Sequence, residues 1–202
     1  MNDIRAEIQP ETSPFRILTV CTGNICRSPM AERLLQTGLD AHFPGEFIVE
    51  SAGTGALVGN PIDARVAGFI EELGGNSENF AARQLSPGVL NTADLVLALA
   101  REHRSRVVEM SPVMLHKTFT LREFARLLPK LELDEALRGQ DRWRAAIPRA
   151  LRARSSNPRA NGEDDVVDPY RRDDEIYARM AQQLAPAVAQ LSQLSLDRTF
   201  GH

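Results

Sequence analysis

Phe15-Arg16-Ile17-Leu18-Thr19-Val20-Cys21-Thr22-Gly23-Asn24-Ile25-Cys26-Arg27-Ser28-Pro29 is the stretch from which the fold can be read outward. Its first six residues form a short apolar run, the pattern of a buried strand. Beyond it, Met30, Leu34 and Leu35 recur at helical spacing within residues 30–39. Ser28 suits an N-cap, Pro29 the first helical position and Glu32 the first turn. The order is strand, tight loop, helix. A loop this short turns successive backbone N–H groups inward and makes a nest for an anion. The start of the helix adds partial positive charge. Gly23 and Asn24 tolerate the backbone angles that such a nest needs.

Cys21 and Arg27 bracket this loop with five residues between them. A guanidinium fork matches two oxygens of a phosphate. The positive field of the loop favours the thiolate form of a cysteine. A nucleophilic sulfur beneath a tetrahedral oxyanion implies phosphoryl transfer to Cys21 through a phosphocysteine intermediate. Loop amides and Arg27 supply the charge stabilisation, so the chemistry requires no metal or other cofactor. Ser28 can donate a hydrogen bond to the sulfur. Bare Cys-x5-Arg spacing also fits a buried core cysteine and a surface arginine; the flanking strand and helix, with Gly23 and Asn24, favour the chemical reading. The chain contains no G-x-x-x-x-G-K-[ST], which separates the loop from the nucleotide-binding kind.

The strand-helix alternation continues downstream. Residues 47–49, 95–99 and 117–121 read as strands, and 63–73, 101–110 and 122–128 as helices, the first stopped by Gly74 and Gly75. Residues 51–55 read as a loop. Residues 174–194 carry a long helical pattern, kinked or interrupted at Pro186. Alternation of this kind predicts an α/β fold with a parallel sheet covered on both faces. Residues 1–14 are polar and contain Pro10 and Pro14, the composition of a flexible arm, leaving 15–202 as a single domain. Residues 129–163 contain no convincing strand and are crowded with arginines, with loop signals at Asn157-Pro158 and Asn161-Gly162. Two readings stand for this stretch: a solvated helix with a flexible linker, or a docking surface for a polyanion or acidic partner.

Composition narrows the function classes. The chain has 202 residues, 43% hydrophobic and 25% charged, enough for one domain with a sizeable core. A net charge of −3 argues against a dedicated nucleic-acid binder. No run approaches the roughly 20 apolar residues of a membrane span, and the N-terminus lacks the apolar centre of a signal peptide. These features point to the cytoplasm, where the pair Cys21 and Cys26 suggests reactivity more than structure. None of His42, His103, His116 and His202 has metal-ligand spacing.

Residues 20–29 resemble the phosphate loop of the low-molecular-weight protein tyrosine phosphatases. Two further motifs strengthen the resemblance: Ser51-Ala52-Gly53-Thr54, where the family serine would hold Asn24, and Asp168-Pro169-Tyr170, similar to the family's general-acid loop. The resemblance covers about residues 15–128 and 164–195. It implies a four-stranded parallel sheet in the order 2-1-3-4 with helices on both faces, and makes 129–163 an Arg-rich insertion. It also implies that residues Thr22 to Ser28 bind the phosphate of a phosphotyrosine protein, or inorganic phosphate, while Cys21, Arg27 and Asp168 carry catalysis.

Asp168 has its own chemical argument, since a leaving phenolate needs a proton and a carboxylic acid on a loop can give it. Asp164, Asp165, Asp173 and Asp174 are its neighbours and competitors. Residues 56–58 are Ala-Leu-Val, where the family often has an aromatic, leaving Tyr170 as the expected wall of the cleft. The family's arginine-phosphatase branch carries Thr where this chain has Ile25. A methyl cannot meet a guanidinium as a hydroxyl can, which favours an aryl phosphate; Ile25 equally reads as a residue packed beneath the loop. Cys26 is open between a protective disulfide partner of Cys21, as the resemblance implies for some members, and a buried packing thiol. The other functions to weigh are an arsenate reductase on the same fold drawing on external thiols, and a non-catalytic phosphate-binding protein.

Overall fold

The computed structural model of the chain describes residues 13–159 and 162–196. The expected N-terminal arm lies outside them except for residues 13 and 14, as does Asn161. The four strands β1 (Phe15–Cys21), β2 (Phe47–Gly53), β3 (Leu95–Ala98) and β4 (Thr118–Thr120) form one parallel sheet in the order β2-β1-β3-β4. The helices are α1 (Arg27–Asp40), α2 (Ala64–Glu72), α3 (Pro87–Asn91), α4 (Arg101–Met110), α5 (Leu121–Leu127), α6 (Gly139–Ser156) and α7 (Asp174–Gln193).

Side chains alternate faces along a strand, and β1 divides the interior accordingly. Phe15, Ile17 and Cys21 join the larger core with Leu35, Tyr177 and Leu184. Leu18 and Val20 join a smaller one with Leu90, Val107 and Met114. A parallel sheet buried on both faces needs this near-continuous apolar sequence. The same alternation sends the Cys21 side chain toward the first turn of α1.

Three local expectations are corrected. Residues 51–53 belong to β2, where Ser51, Ala52 and Gly53 pair with Thr19, Val20 and Cys21; ladder hydrogen bonds outweigh the loop character of small residues. Gly53 is needed for closeness: a Cβ there would lie 2.4 Å from the Thr22 carbonyl oxygen. Ser28 is not the N-cap of α1; Cys26 occupies that position with no side-chain cap. The helix α7 contains Pro186 within its length, so the reading of an interruption there falls away. The short helix α3, capped by Ser86 on Val89 N–H, was not evident from its five residues.

The Arg-rich stretch holds the largest surprise. Its helix α6 is docked on the core, with Trp143, Ala146 and Ala150 fully buried. The Trp143 ring lies 6.0 Å from Phe15, 5.8 Å from Phe47 and 6.1 Å from Phe124 between centroids. Its Nε1–H donates to Ser195 Oγ at 2.8 Å, which satisfies the one polar atom of the ring. The solvated-helix reading therefore fails for the inner face of α6. Among the described residues no helix is long and apolar enough to cross a membrane.

Candidate active site

The loop after β1 curls around the Cys21 sulfur. Asn24 N–H donates to Sγ at 3.3 Å, and Ser28 Oγ lies 3.0 Å from it. Asn24 makes the curl affordable by adopting φ +56°, in the left-handed region that asparagine tolerates better than most residues. Its side chain is fully buried and all its bonds are directional. Oδ1 accepts from the backbone N–H of Arg83 at 2.8 Å, which fixes the amide orientation because that N–H can only donate. Nδ2 then donates to Ser28 Oγ at 2.9 Å and to Ser51 Oγ at 2.8 Å. Ser28, with a lone pair occupied, is left with its hydroxyl proton to offer Cys21 Sγ. Ser51 in turn donates to Glu32 Oε2 at 2.5 Å. Burial raises the pKa of Glu32, and the Ser51 bond opposes that rise. The network thus runs from the sulfur to Glu32 with a defined sense of donation.

Arg27 is 3% exposed and closes the ring. One guanidinium nitrogen donates to the Val166 carbonyl at 3.2 Å, and the other meets Asp168 Oδ2 at 2.9 Å. Asp168 is half exposed, and its Oδ1 accepts from Tyr170 N–H at 3.2 Å. The competing acids are engaged elsewhere. Asp164 makes a bidentate pair with Arg126, and Asp165 caps the backbone of Arg101. Asp173 caps α7 and Asp174 pairs with Arg65. Of the five, Asp168 is the one brought to Arg27.

Between these groups lies a cavity of about 120 Å³, floored by residues 21–23 and 25–27 and walled by Leu57, Tyr170 and Asp168. Leu57 forms one wall in the stretch 56–58 that has no aromatic, and Tyr170 supplies the other wall. Ile25 lines this cavity and also packs into the larger core, so its two readings coexist. Cys26 is buried, and burial, with the Asp63 charge adding, pushes its thiol up to about 12. Both cysteines are free.

Sequence reasoning missed four contributors. Glu32 and Arg83 anchor the Asn24 network, and Gly53 lets the loop close. His103 is the fourth: its Nε2 lies 2.9 Å from Thr22 Oγ1. Burial and the nearby Arg27 charge push His103 down to about 3, so it is neutral at physiological pH. The sequence motifs include Gly53 and Glu32 without these roles, and no local signal marks Arg83 or His103, whose partners come from other elements.

The family model for low molecular weight phosphotyrosine protein phosphatases matches residues 16–157, and the chain belongs to that family. The match ends before the loop that bears Asp168. Low molecular weight protein-tyrosine-phosphatase Wzb of Escherichia coli K12 is 45% identical over 98 residues, 48% of this chain and 63% of Wzb. The aligned part thus spans less than two thirds of that relative. The protein-arginine-phosphatase of Geobacillus stearothermophilus is 39% identical over 111 residues, 55% of this chain and 72% of that protein. The structure of Vibrio vulnificus Wzb in complex with benzylphosphonate aligns with a TM-score of 0.63 at 25% identity, covering 89% of this chain and 97% of that one.

Proposed function

We propose that the protein is a cysteine-dependent phosphatase that hydrolyses aryl phosphate monoesters, with phosphotyrosine on a protein as the substrate class. The observation that carries this reading is the Cys21 sulfur, held between Asn24 N–H and Ser28 Oγ at the base of a cavity that Arg27 and Asp168 close. The substrate phosphate sits on the loop amides of residues 22–28 and takes the Arg27 fork. This displaces the Asp168 carboxylate from its pairing with Arg27, and the freed carboxylate takes up a proton from solvent. Cys21 Sγ attacks phosphorus, the P–O bond to the phenol breaks, and Asp168 in its protonated form gives its proton to the leaving oxygen. The resulting Asp168 carboxylate then removes a proton from water as that water attacks phosphocysteine, which releases phosphate and restores the thiolate.

Residues 15–202 act as one catalytic domain in this reading, and two free thiols suit a reducing, cytoplasmic setting. The identity to a protein-arginine-phosphatase favours a second reading, hydrolysis of phosphoarginine. The methyl groups of Ile25 at the cavity wall support the aryl substrate instead. Parallel assays with p-nitrophenyl phosphate, phosphotyrosine and phosphoarginine decide between them. Cys21→Ser must abolish turnover while phosphate binding persists; turnover by that variant at near wild-type rate would remove the covalent mechanism.

A further inference from the structure

We propose that the protein carries a second oxyanion site, a cavity between α4, α5 and α6 that takes a phosphate group beside the catalytic loop. The cavity has a volume of about 190 Å³. Arg101, Arg104, Arg126, Arg154 and Arg159 line it, against the carboxylates of Glu123 and Asp164. Asp164 is matched by Arg126 in a bidentate pair, and Glu163 outside the cavity meets Arg159 at 3.5 Å. The excess of positive charge is therefore sharpest at Glu123. That single carboxylate serves Arg154 at 3.0 Å and Arg104 at 3.5 Å, and also accepts from Thr120 N–H in the capping box of α5. Arg154 lies over the Phe119 ring, 4.3 Å from its centroid, and donates to the Thr118 carbonyl. Its pKa is lowered, first by burial, with the Arg104 charge acting in the same direction and Glu123 opposing. An oxyanion placed among these guanidiniums gains charge-assisted bonds and relieves their mutual repulsion.

Position gives the site its use. It opens at the carboxyl ends of β3 and β4, the edge at which ligands of open α/β sheets are held. Cys21 is at the same end of β1, next to β3 in the sheet. Two strand spacings of about 4.8 Å separate β1 from β4, whose Thr120 lines the cavity, so roughly 10 Å of sheet lies between the catalytic loop and the near side of this site. An extended peptide advances about 3.3 Å per residue, so a phosphorylated side chain about three residues from the phosphotyrosine spans the gap. The C-terminal part of α6 contributes Arg154, and the loop after it Arg159, which assigns the Arg-rich stretch a task. Binding of phosphate stands on its own; its use for a doubly phosphorylated substrate rests on the proposed phosphatase activity.

The test is a titration of the full chain with inorganic phosphate, followed by backbone amide shifts. Two groups of amides are expected to move with separate midpoints, residues 22–28 and the surroundings of Arg104 and Arg159. Arg104→Gln removes the second group and leaves the first. Should that variant fold poorly, Arg159→Gln on the exposed rim weakens the second midpoint several-fold. Kinetics with two peptides distinguishes the phosphate sources. A peptide with a second phosphorylated residue three positions from the phosphotyrosine is expected to show a KM about tenfold lower than its singly phosphorylated form, a gap that Arg104→Gln closes. Equal KM values with both groups of shifts present assign the site to free phosphate. Shifts confined to residues 22–28, or a second group unaffected by both variants, overturn the proposal. The titration needs no turnover, so an inactive but phosphate-binding chain counts against the proposed function and not against this site.

Discussion

Replacing Asn24 by alanine tests how the loop is held. The substitution leaves the Arg83 backbone N–H without its acceptor, and an unsatisfied donor away from water costs about 1–3 kcal/mol. Alanine at φ +56° adds about 1–2 kcal/mol of backbone strain. Ser51 keeps Glu32 as a partner and Ser28 keeps the sulfur, so neither hydroxyl is orphaned. The expected loss of stability is about 2–5 kcal/mol, read from urea unfolding. Asn24→Gly loses the same hydrogen bonds without the strain and is expected to be about 1–2 kcal/mol more stable than the alanine variant. Catalysis suffers separately. Without Nδ2 the Ser28 hydroxyl is free to turn from Cys21, and a hydrogen bond to a charged group is worth about 1.5–3 kcal/mol. This predicts a fall in kcat of about 10- to 100-fold on an aryl phosphate. Equal stability of the glycine and alanine variants, or an unchanged kcat in both, would refute the account of Asn24 as the organiser of the loop.

Asp168→Asn is expected to cost about 10²–10⁴-fold in rate, most for aryl phosphates with poor leaving groups; a loss independent of leaving-group acidity, or the same pattern from Asp164→Asn, removes Asp168 as the acid. Arg65 lies over the Tyr177 ring, 3.6 Å from its centroid, and binds the Arg172 carbonyl and Asp174, so it fastens the far end of the acid loop. Arg65→Ala is expected to lower kcat several-fold with a steeper dependence on leaving-group pKa, whereas a uniform loss across substrates would mark it as structural only. The Cys26 thiol, pushed up to about 12, is scarcely ionised at neutral pH. Disulfide formation with peroxide-oxidised Cys21, followed by mass spectrometry, is expected to accelerate about tenfold per pH unit between pH 7 and 9, because the attacking thiolate becomes more abundant as pH rises; a flat profile contradicts that assignment.

The first strand-loop-helix unit was legible because its signals are local. An apolar run, a Gly-Asn pair and Pro29 fall within fifteen residues. The order of the strands came with the family resemblance and agrees with the observed sheet. The end of β2 was misread because Ser51, Ala52 and Gly53 have weak strand propensity, which pairing to β1 overrides. In α6 the arginines and Pro148 hid the buried stripe of Trp143, Ala146 and Ala150, since alanines add little apolar contrast. Cys21, Arg27 and Asp168 were named from chemistry and motif, and Arg27 and Asp168 meet in space. Arg83 and His103 were invisible for a different reason. They act on Asn24 and Thr22 across sequence separations of 59 and 81 residues, and no pattern within one element encodes such a meeting.

The chain has a single tryptophan, and α6 places it among Phe15, Phe47 and Phe124 with its indole N–H bonded to Ser195. Intrinsic fluorescence is therefore a reporter of one event, the seating of α6 and the end of α7 on the sheet. It stands apart from the cavity at Cys21, so ligand binding there leaves the emission maximum in place while unseating of α6 moves it to the red. Comparing an emission-detected denaturant curve with one detected by far-ultraviolet circular dichroism asks whether the Arg-rich helix melts with the sheet or ahead of it. Coincident curves make α6 part of one cooperative unit; an earlier fluorescence transition makes it a detachable cover whose loss precedes that of the catalytic loop.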